Sequence, residues 1–322
     1  MKRVHLILPS LFLPAATQSE RVVLLTLQKM LARGRNQPDF SPSGLEAHLC
    51  QIFGVAQQQD WPLAAIGARA DGLPDGVWLR ADPVHLYLQR DRLLLSEISV
   101  SAEEAQQSCA ALNAYFLEQD LRFYAPHPQR WYVQLPAVPC MDTVPLSQML
   151  GENVRHALPK GEDAAHWHQV FNEIQMLLFS LPLNLAREER GQPPLNSVWF
   201  WGAGATPTEL SAPYTSVSAD NALTAHFAAA AGVTFTPWQG RWNGEELLVW
   251  NAPHHALRQG DFAQWQEVLQ QFEQHYAQPL WQALSNGEIT QLRIDILDAA
   301  SPLRLELARR DTWAVWRRSS TL

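Results

Sequence analysis

The sequence predicts an α/β protein in which a sheet flanked by helices is interrupted by a small α+β unit. Three observations point there: segments of helical and strand period alternate at both ends of the chain, short strand-like runs crowd between residues 73 and 150, and no internal repeat or low-complexity tail disturbs the order. The first strand is expected over 4–8. The basic Met1-Lys2-Arg3 start followed by apolar residues has the outline of a leader, but His5, Pro9 and Pro14 interrupt that run, so a strand ending in a loop is the better reading. Helices are predicted over 20–33 and 45–53, on either side of a Gly/Pro/Ser/Asn-rich loop. Residues 62–76 read as loop. Strands then follow over 77–79, 84–88 and 93–95.

Ser101 followed by Glu104 is a reciprocal pairing for the free amides of a helix start, so a helix is expected from 101 to about residue 119. Residues 123–124 and 131–135 resemble hairpin strands around the turn-rich 125–129. Helices over 164–180, 219–231 and 262–284 alternate with strands over 197–201 and 247–250, and strands over 292–297, 303–308 and 312–317 close the chain. The domain reading is therefore a core of 1–72 with 151–322, and an inserted unit of 73–150.

With 322 residues, 47% of them hydrophobic, and only 17% charged, the chain has enough apolar matter for a large core or two smaller ones and too little charge for disorder. Its formal charge of −8 argues against general attraction to nucleic acid or anionic lipid. Cys50, Cys109 and Cys140 are odd in number and widely spaced, which suits reduced thiols in a cytoplasmic protein and neither a disulfide framework nor a zinc site. No apolar stretch reaches the roughly 18 residues of a membrane span.

The most informative stretch is 178–204, where Asn184, Arg187 and Arg190 precede a Gly-Gln-Pro-Pro turn, Asn196, an apolar run and Gly202-Ala203-Gly204. Such an order puts a cationic cluster, a carboxamide and a small-residue loop around one buried strand, where an anionic ligand could be held. Arg187 and Arg190 also suit a solvated helix face beside Glu188 and Glu189, Asn184 and Asn196 also suit backbone closure of the turn, and glycines at 202 and 204 suit any tight turn. Arg80 and Asp82 form either a salt bridge or a ligand contact. His166, His168, His254 and His255 invite a metal reading, but neighbouring and alternate helix positions do not share a face, and no metal ligand is assigned. Trp313, Trp316, Arg317 and Arg318 make an aromatic-basic end suited to a partner or to a guarded edge strand.

The segment from Leu183-Asn184 through Arg187, Arg190-Gly191-Gln192-Pro193-Pro194 and Asn196 to Gly202-x-Gly204 resembles the N-x-x-R-x-x-G-K-x-P-A-N and W-G-x-G region of archaeal-type cofactor-independent phosphoglycerate mutases. Upstream, Trp78-Leu79-Arg80-Ala81-Asp82, the helix opening Ser101-Ala102-Glu103-Glu104-Ala105, and Arg130 match pieces of the same family in the same order. The chain as a whole is similar to a bacterial relative of RpfE type, described as regulatory, which shares WLRADPVHL and the tryptophan-arginine end. This resemblance implies an alkaline-phosphatase-like α/β core carrying an inserted domain. It also implies two divalent metals, held by Asp and His, that activate a serine or threonine and stabilise the transferring phosphoryl group.

The metal positions of that family are largely altered. The first strand runs into Pro9 and Ser10 where the family has Asp, the late histidine-rich stretch puts Val249, His254 and Arg258 at ligand positions, and Asp298 is followed by Ala299 in place of His. The arginine-rich segment of the family's inserted domain is replaced by LLLSEISVS. The resulting expectation is a catalytically degenerate protein without cofactor, binding a small anion or a protein partner through Arg80, Asp82, Asn184, Arg187, Arg190, Asn196, Gly202 and Gly204. The alternative is a divergent metal-dependent mutase or phosphotransferase working through Ser10, His254, His255, Asp261 and Asp298.

Overall fold

The computed structural model describes residues 2–11, 24–238, 241–298 and 301–314, with the side chains of 255, 258 and 259 left aside. In chain order the first elements are β1 (Arg3–Leu8), α1 (Leu25–Arg33), β2 (Arg35–Asn36), α2 (Gly44–Ile52) and α3 (Leu63–Ala70). Next come β3 (Val77–Gln89), β4 (Arg92–Glu97), α4 (Ala102–Tyr115), β5 (Arg122–His127), β6 (Arg130–Leu135), α5 (Leu146–Met149), α6 (Ala164–Phe179), α7 (Leu183–Glu189) and β7 (Ser197–Ala205). The remainder is β8 (Ser216–Ala219), α8 (Ala222–Ala230), β9 (Thr234–Pro237), β10 (Leu247–Val249), α9 (Ala252–Gln259), α10 (Phe262–Phe272), α11 (Gln278–Asn286), β11 (Gln291–Ile296) and β12 (Leu303–Ala308).

These elements form two compact units, Met1–Phe53 with Ser211–Leu322, and Gly54–Leu210. The second unit is wider at both ends than the expected 73–150. Its organiser is β3, a single 13-residue strand where the sequence suggested two short ones. One edge of β3 pairs with β7 from Val77 to Val84; the other pairs with β6 up to Arg80 and with β4 from Val84 onward. Pro83 lies between those two partners, so its missing N–H costs no bond on that edge. Because β7 belongs to this sheet, the segment expected as a core strand joins the inserted unit. The residues 62–76 read as loop contain α3, which packs on β3 and β7.

The first unit holds a seven-stranded sheet of order β2-β12-β11-β1-β10-β8-β9, parallel from β11 to β9 and antiparallel at β12 and β2. Period-2 alternation sends Val4, Leu6 and Leu8, with Leu292, Ile294 and Ile296, into one apolar core beneath α1, α10 and α11. His5 and Asp295 point to the opposite face. The long helix expected over 262–284 is present but carries a π turn at Glu273–Ala277. Glu273 there accepts the amides of Thr26 (2.6 Å) and Leu27 (3.0 Å), supplying the carboxylate that the first turn of α1 lacks. Stacked Trp238–Tyr276 and Trp250–Phe272 pairs, with ring centroids 3.9 and 4.4 Å apart, explain part of the tryptophan excess. The strand expected over 312–317 is, where described, a 3₁₀ turn over Arg309–Trp313. Trp316, Arg317, Arg318 and Ala299 lie outside the described residues.

Candidate functional site

The residues singled out in the second unit are engaged with one another. Arg187, 1% exposed, donates from Nε to the Pro193 carbonyl (2.9 Å), from Nη1 to Glu104 (2.8 Å) and from Nη2 to the Ser99 carbonyl (3.1 Å). Glu104 also closes the Ser101 capping box, and Arg190 reaches its other oxygen at 2.8 Å. Burial alone would raise the Glu104 carboxyl, but the Ser101 amide and Arg187 outweigh it and hold it below its ordinary value. Arg80 lies between the rings of Tyr132 and Trp201, donating to Asp82 (2.6 Å) and Tyr132 (3.1 Å). Asp82 further accepts the Trp201 indole N–H at 2.8 Å.

The carboxamides and glycines have equally local duties. Asn184 donates to the carbonyls of Leu178 and Leu195 and accepts from the Leu195 amide, clamping the turn between α7 and β7. Asn196 exchanges two 2.8 Å hydrogen bonds with the backbone of Leu86, as a β-partner would. Gly202 has φ +69° and Gly204 sits against Pro62, where an added Cβ would come within 2.9 Å of the Pro62 Cα. The glycines let α3 close on β7. The eight residues expected to hold a ligand are thus tied to the backbone and side chains of their own unit. His168 donates from Nε2 to the Pro159 carbonyl at 2.8 Å, while His166 is exposed against Trp167.

In the first unit the sheet gathers several of the remaining residues outside the carboxyl ends of β1, β8, β10 and β11, where ligands sit in open parallel sheets. The Ser10 hydroxyl, just past β1, lies 2.9 Å from Nδ1 of His254 in the first turn of α9. Asp298, past β11, accepts the Leu11 amide at 2.9 Å. Asp220, past β8, was not expected; its two oxygens accept the amides of Asn251 and Ala252, each at 2.7 Å, fixing the start of α9. Burial raises its carboxyl against the pull of those amides. Asp261 is separate, capping α10 through the Gln264 amide at 2.9 Å. The His255 side chain lies outside the described residues.

Among the described residues, one group of three metal-capable side chains converges: His5, His48 and Asp295, all buried. It lies within the sheet face. Nε2 of His5 and of His48 meet Asp295 Oδ2 at 2.8 and 2.9 Å, and Arg304 forks onto both carboxylate oxygens at 2.7 and 2.6 Å. Tyr214 stands 2.6 Å from His5 Nδ1. A divalent ion does not fit: Arg304 already neutralises the carboxylate, so a further two positive charges would be buried uncompensated, and the imidazole nitrogens meet the oxygen at hydrogen-bond distance. Burial lowers the His5 pKa against the opposing effect of Asp295, and pushes the Tyr214 hydroxyl up to about 12. In the sequence His5 is only a break in an apolar run. Its partners become visible only when register places β11 beside β1, with Ile7 against Asp295.

The fit of two metals at the carboxyl edge is no better. Ser10, Asp220 and Asp298 each hold a backbone or imidazole partner, and among the described residues no group of three His, Cys, Asp or Glu side chains gathers here.

No protein-family model matches the chain. It is 26% identical over 185 residues to a protein of Geobacter sulfurreducens described as a probable 2,3-bisphosphoglycerate-independent phosphoglycerate mutase, covering 55% of this chain and 46% of that one. The corresponding mutase of Methanosarcina mazei is 26% identical over 196 residues, covering 56% and 48%. The chain spans about half the length of the curated relatives it matches. Among solved structures, a protein from Pyrococcus horikoshii superposes with a TM-score of 0.51 at 14% identity, covering 95% of this chain and 87% of that one. The cofactor-independent phosphoglycerate mutase of Thermoplasma acidophilum gives 0.45 at 12% identity, covering 96% and 90%. The chain is homologous to archaeal-type cofactor-independent phosphoglycerate mutases, and it shares its mixed α/β fold of central sheets and flanking helices with the Pyrococcus structure. None of its described helices is long and apolar enough to cross a membrane.

Proposed function

We propose that this mutase-like protein has lost two-metal phosphoryl transfer and serves as a cytoplasmic binding or regulatory module of RpfE type, with a small anion or a protein as its partner. The observation that carries this reading is the end of β1. Pro9 and Ser10 stand where a metal-binding carboxylate would be needed, the Ser10 hydroxyl is paired with His254, and the nearby carboxylates Asp220 and Asp298 hold backbone amides. Two divalent ions need several anionic and imidazole donors to offset their mutual repulsion, and the described residues of this edge present few.

The second reading, a divergent metal-dependent mutase, draws on the similarity to named mutases and on the persistence of Asp261 and Asp298. Elemental analysis together with a phosphoglycerate mutase assay in Mn²⁺ and in Zn²⁺ separates the two. Sub-stoichiometric metal and no turnover are expected. About two ions per chain with turnover would replace the first reading by the second.

A further inference from the structure

We propose that Ser10 and His254 form a metal-independent nucleophile–base pair that cleaves carboxylic esters, an activity beyond the binding role above. The pair has the geometry such chemistry requires, a hydroxyl 2.9 Å from an imidazole nitrogen, outside the carboxyl ends of parallel strands. Both residues are half-buried, so a substrate can reach them while bulk water is partly excluded.

The surrounding bonds hold both partners in place. On the serine side, the Leu297 amide donates to the Leu8 carbonyl at 2.9 Å, and Leu11, the residue after Ser10, donates its amide to Asp298. On the histidine side, the Trp250 amide donates to the Ile7 carbonyl at 3.1 Å, and Asp220 grips the amides of Asn251 and Ala252 where α9 begins. The pair is therefore anchored on each side by two sheet-derived contacts, the kind of support that keeps a nucleophile and its base within reacting distance.

The substrate class follows from charge. A phosphoryl group would need cations for its oxygens, whereas among the described residues the charged side chains bonded into this edge, Asp220 and Asp298, are carboxylates; an uncharged carbonyl ester is the electrophile that suits them. In the reaction, Ser10 Oγ bonds to the carbonyl carbon while its proton passes to His254 Nδ1. The ester C–O bond breaks and His254 returns the proton to the departing alkoxide. Water then attacks the acyl-serine with His254 again taking and returning the proton, which releases the acid and restores both side chains.

The test uses the full chain in excess EDTA, with a fluorophosphonate probe followed by peptide mass spectrometry and, in parallel, p-nitrophenyl acetate hydrolysis. An adduct on Ser10 is expected, lost in Ser10→Ala, with ester turnover down at least about tenfold in that variant and about a hundredfold in His254→Gln. Unchanged thermal unfolding of each variant separates lost chemistry from lost fold. Absence of an adduct on Ser10 in the wild-type chain, or equal turnover in Ser10→Ala, overturns the proposal. Labelling that EDTA abolishes and Mn²⁺ restores would overturn it too, and would count against the metal-free reading of the previous section.

Discussion

The Arg187–Glu104 knot of the second unit and the Ser10–His254 edge of the first look alike in sequence, since each is a cluster of polar residues beside a strand. In the structure they differ in burial and in what their polar atoms face. Arg187 is 1% exposed with all its described bonds going to its own unit, whereas Ser10 and His254 are half-buried and face each other. The stretch whose motifs suggest the mutases is thus one with a clear structural duty. On the proposed reading, the edge is where two-metal chemistry has been lost. Resemblance concentrated in a buried knot reports a shared scaffold, and the chemistry has to be argued at the edge.

The largest effect is expected where a buried charge loses its partner. Asp82→Ala leaves Arg80 uncompensated between two aromatic rings and should cost about 3–5 kcal/mol in urea unfolding. A loss below about 1 kcal/mol would mean that the knot is not structural. Gly204→Ala comes next: its new methyl meets Pro62, and about 1–3 kcal/mol should be lost as α3 is pushed from β7.

Acid should act on the first unit through His5, and also on the second, where burial lowers the more exposed His85 and His127. Burial holds His5 below the ordinary imidazole value of 6.5, so the folded chain keeps it neutral while the unfolded chain takes up a proton as the pH falls past 6.5. Stability should therefore decline from pH 7.5 to 5.5, and His5→Gln should flatten that decline. Asp295, held well below its ordinary value by Arg304 and the two histidines despite burial, adds its own loss only below about pH 4. Asp60 and Asp220, both raised by burial, bind protons more readily when folded and oppose the decline just above that range. An equal slope in wild type and His5→Gln would remove His5 from the account. The smallest effect belongs to Arg190→Ala. Its side chain is 52% exposed, so its bond to Glu104 should be worth under about 1 kcal/mol, measured beside Arg187→Ala at about 3.

Local signals carried much of the fold. The Ser101–Glu104 spacing predicted a capping box that is present with both of its bonds, at 3.1 and 2.9 Å, and the alternation in 292–297 and 303–308 predicted two strands that pair. Register and long-range pairing were not legible. Nothing in 197–205 says that its partner is β3, so the sequence suggests a unit of 73–150 where the structure has Gly54–Leu210. The same blindness hid Asp220, whose partners are 31 and 32 residues away, and the His5–Asp295 bond, which spans 290. Arginine, asparagine and glycine at suggestive spacing described a turn correctly, yet the sequence could not say whether a ligand or the protein itself satisfied them.

The central claim is that the end of β1 no longer supports a pair of divalent ions. A crystal grown in Mn²⁺, with data collected at the manganese absorption edge, tests it most directly. No anomalous density beside Ser10, His254 and Asp298 is predicted, and two peaks about 4 Å apart there would contradict it.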